Sequence, residues 1–385
     1  MADVPSKLPV DYSTWQDAVK AHGLVGKTVH TAELASASKM DFKQFLLLRV
    51  LWKLHLGNRL SSLPPVLEPY HTQATILLNK SQSWASYCSS IVNGENPEGS
   101  FAIARHYQVK AANNGKCMRP DSFDTPVAKR TRSYTRRNLE EEFRNLQVDE
   151  TPSKSLTPIS QMPISEDSSD DDSVVADPLL PPPTPAALVP EDLQKLMFPP
   201  TKDEQIVNTA LVVFLNSLTI HFPMIKRCDW TLHRKAFVPQ FEEARFESRT
   251  DGYLDDGKGN PYALIEVKPI IRALINQSRI QVQEGSQMAS WIKIDINANL
   301  DKLRVHVSQN RHEIFITIAE YDNGYVSYLR KKPANDEHPS FLTMHQYGPW
   351  NTDNAADMKK LGPILLALTL YAEDEVQKAE ASSSD

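Results

Sequence analysis

Arg249-Thr250-Asp251-Gly252-Tyr253-Leu254 and Ala263-Leu264-Ile265-Glu266-Val267-Lys268-Pro269 are joined by Asp255-Asp256-Gly257-Lys258-Gly259-Asn260, and together they read as two strands with a hairpin turn between them. Glu266 and Lys268 stand two apart on the second strand, so they face the same side of it. The hairpin brings Asp251 close to Glu266 in space. Two carboxylates can hold a hard divalent cation through oxygen, and an ammonium beside them can orient an attacking water or offset charge building on a phosphate. The trio is the minimum set for magnesium-dependent phosphodiester hydrolysis. A Glu-x-Lys triplet on a solvated strand face is common and says little alone. Here the pair sits on an apolar strand, residues 261–267, where burying it is costly unless each charge has a partner or a metal.

The arrangement resembles the PD-(D/E)xK nuclease superfamily, whose core strands carry an Asp and then Glu-x-Lys. A group of fungal proteins described as PD-(D/E)xK nuclease-like is similar over more of the chain: Thr250-Asp251-Gly252-Tyr253-Leu254, Ile265-Glu266-Val267-Lys268-Pro269, and Gln283-Glu284-Gly285-Ser286-Gln287-Met288-Ala289-Ser290-Trp291-Ile292. Arg311-His312-Glu313-Ile314, Ala319-Glu320-Tyr321 and Gly348-Pro349-Trp350 fit the same pattern, so the resemblance spans roughly residues 200–373. Thr250 stands where the superfamily name has Pro, at a position that is not a ligand. The resemblance implies a restriction-endonuclease-like fold. It also implies a magnesium (or manganese) ion held by Asp251, Glu266 and the carbonyl oxygen of Val267, with Lys268 holding the nucleophilic water.

Two more residues enter through the resemblance. Residues 202–220 carry helical apolar spacing at Ile206, Ala210, Val213, Phe214 and Leu218, with Glu204 in the first turn. In the superfamily a Glu on the helix before the sheet often joins the metal shell, which makes Glu204 the matching candidate. An acid favoured by the helix dipole is the alternative account of it. Gln283 and Gln287 lie one turn apart on the next helix, and similarity to nucleases with a helix-borne Gln near the active site points to Gln283 on the metal-bound water or a phosphate. A glutamine pair on the surface of an amphipathic helix is the competing reading.

Other chemistries find little support. His221, His233, His306, His312 and His345 are scattered without ligand spacing to cysteine, which argues against zinc. Neither a Gly-rich phosphate loop nor a Gly-x-Ser-x-Gly elbow occurs. A net charge of −6 argues against a general nucleic-acid coat, so any DNA or RNA contact has to come from a local patch. Three well-separated cysteines, Cys88, Cys117 and Cys228, fit a reducing, intracellular compartment. The first residues lack the apolar core of a secretory signal, and no apolar run is long enough to predict a membrane span.

The 385 residues divide by composition. Residues 1–110 read as a small helical module, with helices over 13–22 and 41–56, the second capped by Asp41 and basic on one side in the manner of a solvated outer face. Residues 111–200 hold about half of the 27 prolines and almost no aromatic side chains, the signature of a disordered linker. Within it, Lys129-Arg130-Thr131-Arg132 and Arg136-Arg137 fit a nuclear localisation signal or a grip on the nucleic-acid backbone. Pro181-Pro182-Pro183 favours an extended segment that serves as a spacer or as a ligand for a partner protein. Residues 201–375 are expected to form the nuclease-like domain and 376–385 a disordered tail.

In the nuclease-like domain, strands are expected at 231–238, 244–254, 262–267, 304–307, 313–321 and 325–329. Helices are expected at 278–293 and from Pro363 onward. That order predicts an α/β fold, a central mixed sheet flanked by helices. The functional expectation is a metal-dependent nuclease acting on DNA or RNA. Its rival is an inactive nuclease-fold protein that binds nucleic acid or a protein partner as a scaffold, since a fold does not fix a function.

Overall fold

Hydrogen-bonding side chains start most of the helices, and the central strands, buried on both faces, carry the sheet between them. The computed structural model describes residues 4–55, 64–112, 203–272, 277–295, 302–331 and 339–382. In chain order these form α1 (Tyr12–Ala21), α2 (Phe42–Leu47), β1 (Val50–His55), α3 (Glu68–Asn79), α4 (Gln82–Asn93) and α5 (Phe101–Ala112). After these come α6 (Glu204–Thr219), β2 (Asp229–Thr231), β3 (Ala236–Phe237), β4 (Ser248–Arg249), β5 (Gly252–Asp255), β6 (Pro261–Lys268) and α7 (Gln277–Ile294). The chain ends with β7 (Val305–Asn310), β8 (Glu313–Glu320), α8 (Asn323–Arg330), β9 (Leu342–Asn351) and α9 (Ala355–Ser382). The linker expected at 111–200, with its basic run and proline segment, lies outside the described residues apart from its first two positions, which end α5.

Seven strands make one mixed sheet in the order β1-β9-β8-β7-β6-β5-β2, with β1/β9 and β6/β7 parallel and the other neighbours antiparallel. Period-two alternation sorts β6 between two cores. Ala263, Ile265 and Val267 join the core under α3, α4, α5, α6 and α9, while Leu264 joins the core under α1, α2, α7 and α8. The α/β expectation of a central mixed sheet flanked by helices therefore holds.

The described residues among the first 110 are mostly helical, but they do not stand apart as a module. All described residues fall in one compact unit, and β1 pairs in parallel with β9 from Val50↔Leu342 to His55↔Tyr347. The helix expected over 41–56 stops at Leu47, and the chain turns at Arg49, whose φ of 53° lies in the left-handed region. An apolar run such as Val50-Leu51-Trp52 suits a buried helix and a buried strand equally, and the open edge of β9 decides it.

Four further expectations change. Residues 325–329, expected as a strand, belong to helix α8: Asp322 accepts from Tyr325 N at 2.8 Å as an N-cap, and Tyr325, Val326, Tyr328 and Leu329 bury one helical face. The last helix begins at Ala355 and passes through Pro363, with Asn354 Oδ1 accepting from Ala356 N at 2.9 Å. Residues 376–382, expected in the tail, continue that helix, because Glu380 pairs with Arg227 at 2.7 Å and with Lys258 at 2.9 Å. The strands expected at 231–238 and 244–254 each break in two, giving β2 and β3, then β4 and β5.

Glu373 of α9 anchors β2. Its carboxylate accepts from Arg227 N at 2.9 Å and Cys228 N at 3.0 Å and pairs with the Arg227 guanidinium at 3.0 Å. Burial alone would raise this carboxyl, but those donors outweigh it and hold it below the usual range. A depressed carboxyl stabilises the fold above its unfolded pKa of about 4.3 and loses that contribution as pH falls through the folded value. Glu373→Gln is thus expected to cost about 1–2 kcal/mol near neutral pH. The gap from wild type should close below about pH 4, as followed by urea unfolding across pH; a gap unchanged at acid pH would refute the carboxylate's role.

Candidate metal centre

The hairpin builds the centre. Asp251 N donates to Ile265 O at 3.0 Å, and Val267 N donates to Asp251 Oδ2 at 3.1 Å, so the Asp251 carboxylate is fixed against the strand that carries Glu266. Gly252 is required next to it: a Cβ there would lie 2.4 Å from the Thr231 carbonyl oxygen of β2. In the turn, Asp256 accepts from Lys258 N at 2.8 Å and Asn260 N at 2.9 Å, which fixes the return of the chain.

Glu266 and Lys268 lie on the face of β6 that meets α7. The ammonium of Lys268 stands 2.5 Å from Glu266 Oε1, 3.0 Å from Val267 O and 3.4 Å from Glu204 Oε1. Gln283 also donates to Glu266 Oε1, and Gln287 Nε2 donates to Glu266 Oε2 at 2.7 Å. Glu204 comes from the first turn of α6, and one turn later Asn208 Nδ2 donates to Asp251 O at 3.1 Å, tying that helix to the hairpin. The structure thus brings Asp251, Glu266, Val267, Lys268, Glu204 and Gln283 to one place.

One carboxylate oxygen from each of Glu204, Asp251 and Glu266 lies within 4.8 Å of the other two. Oxygens around an octahedral ion at about 2.1 Å stand about 3–4.2 Å apart, so small side-chain adjustments suffice for magnesium or manganese. The donor set is all oxygen and anionic, and the Val267 carbonyl beside Lys268 adds a fourth oxygen of the same hard kind. The residues fit a hard divalent ion of this kind. Burial first, and then the Glu266 carboxylate, push the Asp251 carboxyl up to about 7. Burial acts to lower Lys268, but Glu266 and Glu204 outweigh it and hold the ammonium above its ordinary value. Three carboxylates gathered around the Lys268 ammonium leave the cluster short of positive charge.

Sequence reasoning missed the layer behind these residues. His306 of β7 is fully buried and its Nε2 meets Gln287 Oε1 at 2.8 Å. Gln287 spends its own amide hydrogens on Glu266 and on Arg249 O, at 2.9 Å, so His306 must donate from Nε2. Burial lowers the pKa of this imidazole and keeps it neutral. The alternation His306-x-Ser308-x-Asn310, in register with Leu264, Glu266 and Lys268, was the available signal, but the expected strand ended at Val307. Arg234, from the segment between β2 and β3, stands 3.2 Å from Asp251 Oδ1 and had no sequence signal at all.

No protein family, curated protein or solved structure matches the chain. Among the described residues, no helix is long and apolar enough to cross a membrane.

Proposed function

We propose that this chain is a metal-dependent nuclease of the PD-(D/E)xK type that hydrolyses phosphodiester bonds in DNA or RNA. The observation that carries the reading is the convergence of the Glu204, Asp251 and Glu266 oxygens within 4.8 Å, with the Lys268 ammonium 2.5 Å from Glu266. The order α6, then β2, β5 and β6 as an antiparallel run, then α7, then β7 parallel to β6, supports a restriction-endonuclease-like core.

A bound divalent ion would acidify a water and offset charge on the phosphate. Asp251, Glu266, Glu204 and the Val267 carbonyl would hold it. Lys268 has the reach to hold the attacking water in line or to donate to a phosphate oxygen as negative charge builds there. Gln283 and Gln287 fix the Glu266 carboxylate, so its oxygens keep their direction when substrate enters.

The test is magnesium calorimetry on the full chain, wild type against Asp251→Asn and Glu266→Gln, with cleavage of labelled single- and double-stranded DNA and RNA in parallel. Both substitutions are expected to abolish magnesium uptake and cutting while leaving the thermal transition within a few degrees of wild type. Failure of the wild type to bind magnesium or manganese at millimolar concentration would overturn the reading and leave a nuclease-like fold used as a scaffold.

A further inference from the structure

Thr250 occupies the place of the proline in the superfamily name, and it does what proline cannot. Its N–H donates to Lys235 O at 3.0 Å, and its hydroxyl accepts from Lys235 N at 3.3 Å. These two bonds pin the backbone of residue 235 beside Asp251. Arg234, the preceding residue, is thereby held at the centre, with its guanidinium 3.2 Å from Asp251 Oδ1. The two partners differ sharply in exposure: the Asp251 side chain is 10% exposed and that of Arg234 is 49% exposed. The guanidinium is therefore the member of this pair that solvent, and an arriving substrate, would meet.

The charge balance of the cluster favours an exchange. Fully ionised, the three carboxylates outnumber the two cations, Lys268 and Arg234, by one charge. A divalent ion would turn that into one excess positive charge, with the ion and the guanidinium competing for the same Asp251 carboxylate. Lys268 is the more enclosed cation, bonded to Glu266 and Val267 O, and it stays. Arg234 is the more exposed, on a backbone that is already fixed. A guanidinium released there meets a phosphodiester with its planar fork, the geometry in which arginine binds phosphate bidentately.

We propose that Arg234 is a substrate-positioning residue, parked on Asp251 in the metal-free protein and transferred to a phosphate of the nucleic-acid strand when the metal binds. The proposal rests on the nuclease reading for its substrate class, but the exchange at Asp251 is testable without any cleavage.

The experiment compares wild type, Arg234→Gln and Arg234→Lys as full chains. Magnesium affinity is read by calorimetry, and the affinity of a fluorescent oligonucleotide is read across a salt series with calcium in place of magnesium. Arg234→Gln is expected to bind magnesium about two- to fivefold more tightly, because a half-exposed ion pair no longer competes for Asp251. The same variant is expected to bind the oligonucleotide more weakly, with the log–log salt slope reduced by about one. Arg234→Lys should keep the slope and lose part of the affinity, since a point charge replaces a fork.

Shifts of opposite sign for metal and oligonucleotide are not expected of a purely structural ion pair. Unchanged or weaker magnesium binding by Arg234→Gln overturns the exchange, and an unchanged salt slope overturns the phosphate contact. A wild type that binds magnesium and oligonucleotide but does not cut sinks the nuclease reading while leaving the exchange intact. If the wild type cuts and Arg234→Gln matches it in both titrations, this proposal alone fails.

Discussion

Replacing Lys268 with methionine is expected to lower strand cleavage by about two to four orders of magnitude, the range for a positioned group that handles a proton or a developing charge. Methionine keeps most of the unbranched side chain and removes the ammonium. Glu204, Asp251, Glu266 and the Val267 carbonyl remain, so magnesium binding should survive the substitution even as turnover collapses. The carboxylates keep Lys268 charged against the effect of burial, which makes it a hydrogen-bond donor and a positive charge, not a base, at neutral pH. Single-turnover cleavage with saturating magnesium reads the effect directly. Turnover within tenfold of wild type would remove Lys268 from the chemistry and reduce it to a counter-charge for Glu266.

Arg272→Met is expected to cost about 3–5 kcal/mol of stability, the range for breaking a buried ion pair from one side. Arg272 is 2% exposed and Glu284 is wholly buried. The guanidinium stands 2.5 Å from Glu284 Oε1 and also donates to Gln346 Oε1 at 2.9 Å, Ser308 Oγ at 3.0 Å and Asn310 Oδ1 at 3.1 Å. One side chain therefore joins α7 to β7 and β9. Without it, the Glu284 carboxyl is left buried in the core with its ion-pair partner removed. The double variant Arg272→Met/Glu284→Leu should recover a large part of the loss, because removing both charges costs less than stranding one. Equilibrium denaturation of the three proteins measures this, and a loss below about 1 kcal/mol in the single variant would refute it. Since α7 also carries Gln283 and Gln287, the single variant should weaken the hold on Glu266 as well.

What the sequence carried of the centre is what local rules carry. Glu266 and Lys268 share a face because strands alternate. Asp251 is near them because a glycine-bearing turn reverses the chain. The elements that escaped are those decided at a distance. β1 is a strand because β9 offers it an edge. The Leu342-to-Asn351 stretch is a strand although His345, Gln346 and Gly348-Pro349 dilute its apolar pattern. Asp322-Asn323-Gly324 reads as a hairpin turn by composition and acts as the start of a helix because Asp322 reaches Tyr325 N. Arg234 lies in an irregular segment whose approach to Asp251 depends on two hydrogen bonds between Lys235 and Thr250, one of them to the Thr250 hydroxyl, and no periodicity records such contacts. Asn208 could have been found, since it stands one helical turn from Glu204.

The pairing of β1 with β9 also sets an order of events during synthesis. Val50 and its partner Leu342 are separated by 342 − 50 = 292 positions, so the ribosome needs about 15–60 seconds after releasing one to deliver the other. Throughout that interval an apolar strand has left the tunnel with no edge to join, which exposes it to chaperones and to pairing with neighbouring chains. A fragment beginning near residue 200 would face the reverse problem, a β9 edge left permanently open. The nascent chain thus has to wait until β9 has been made before its sheet can close.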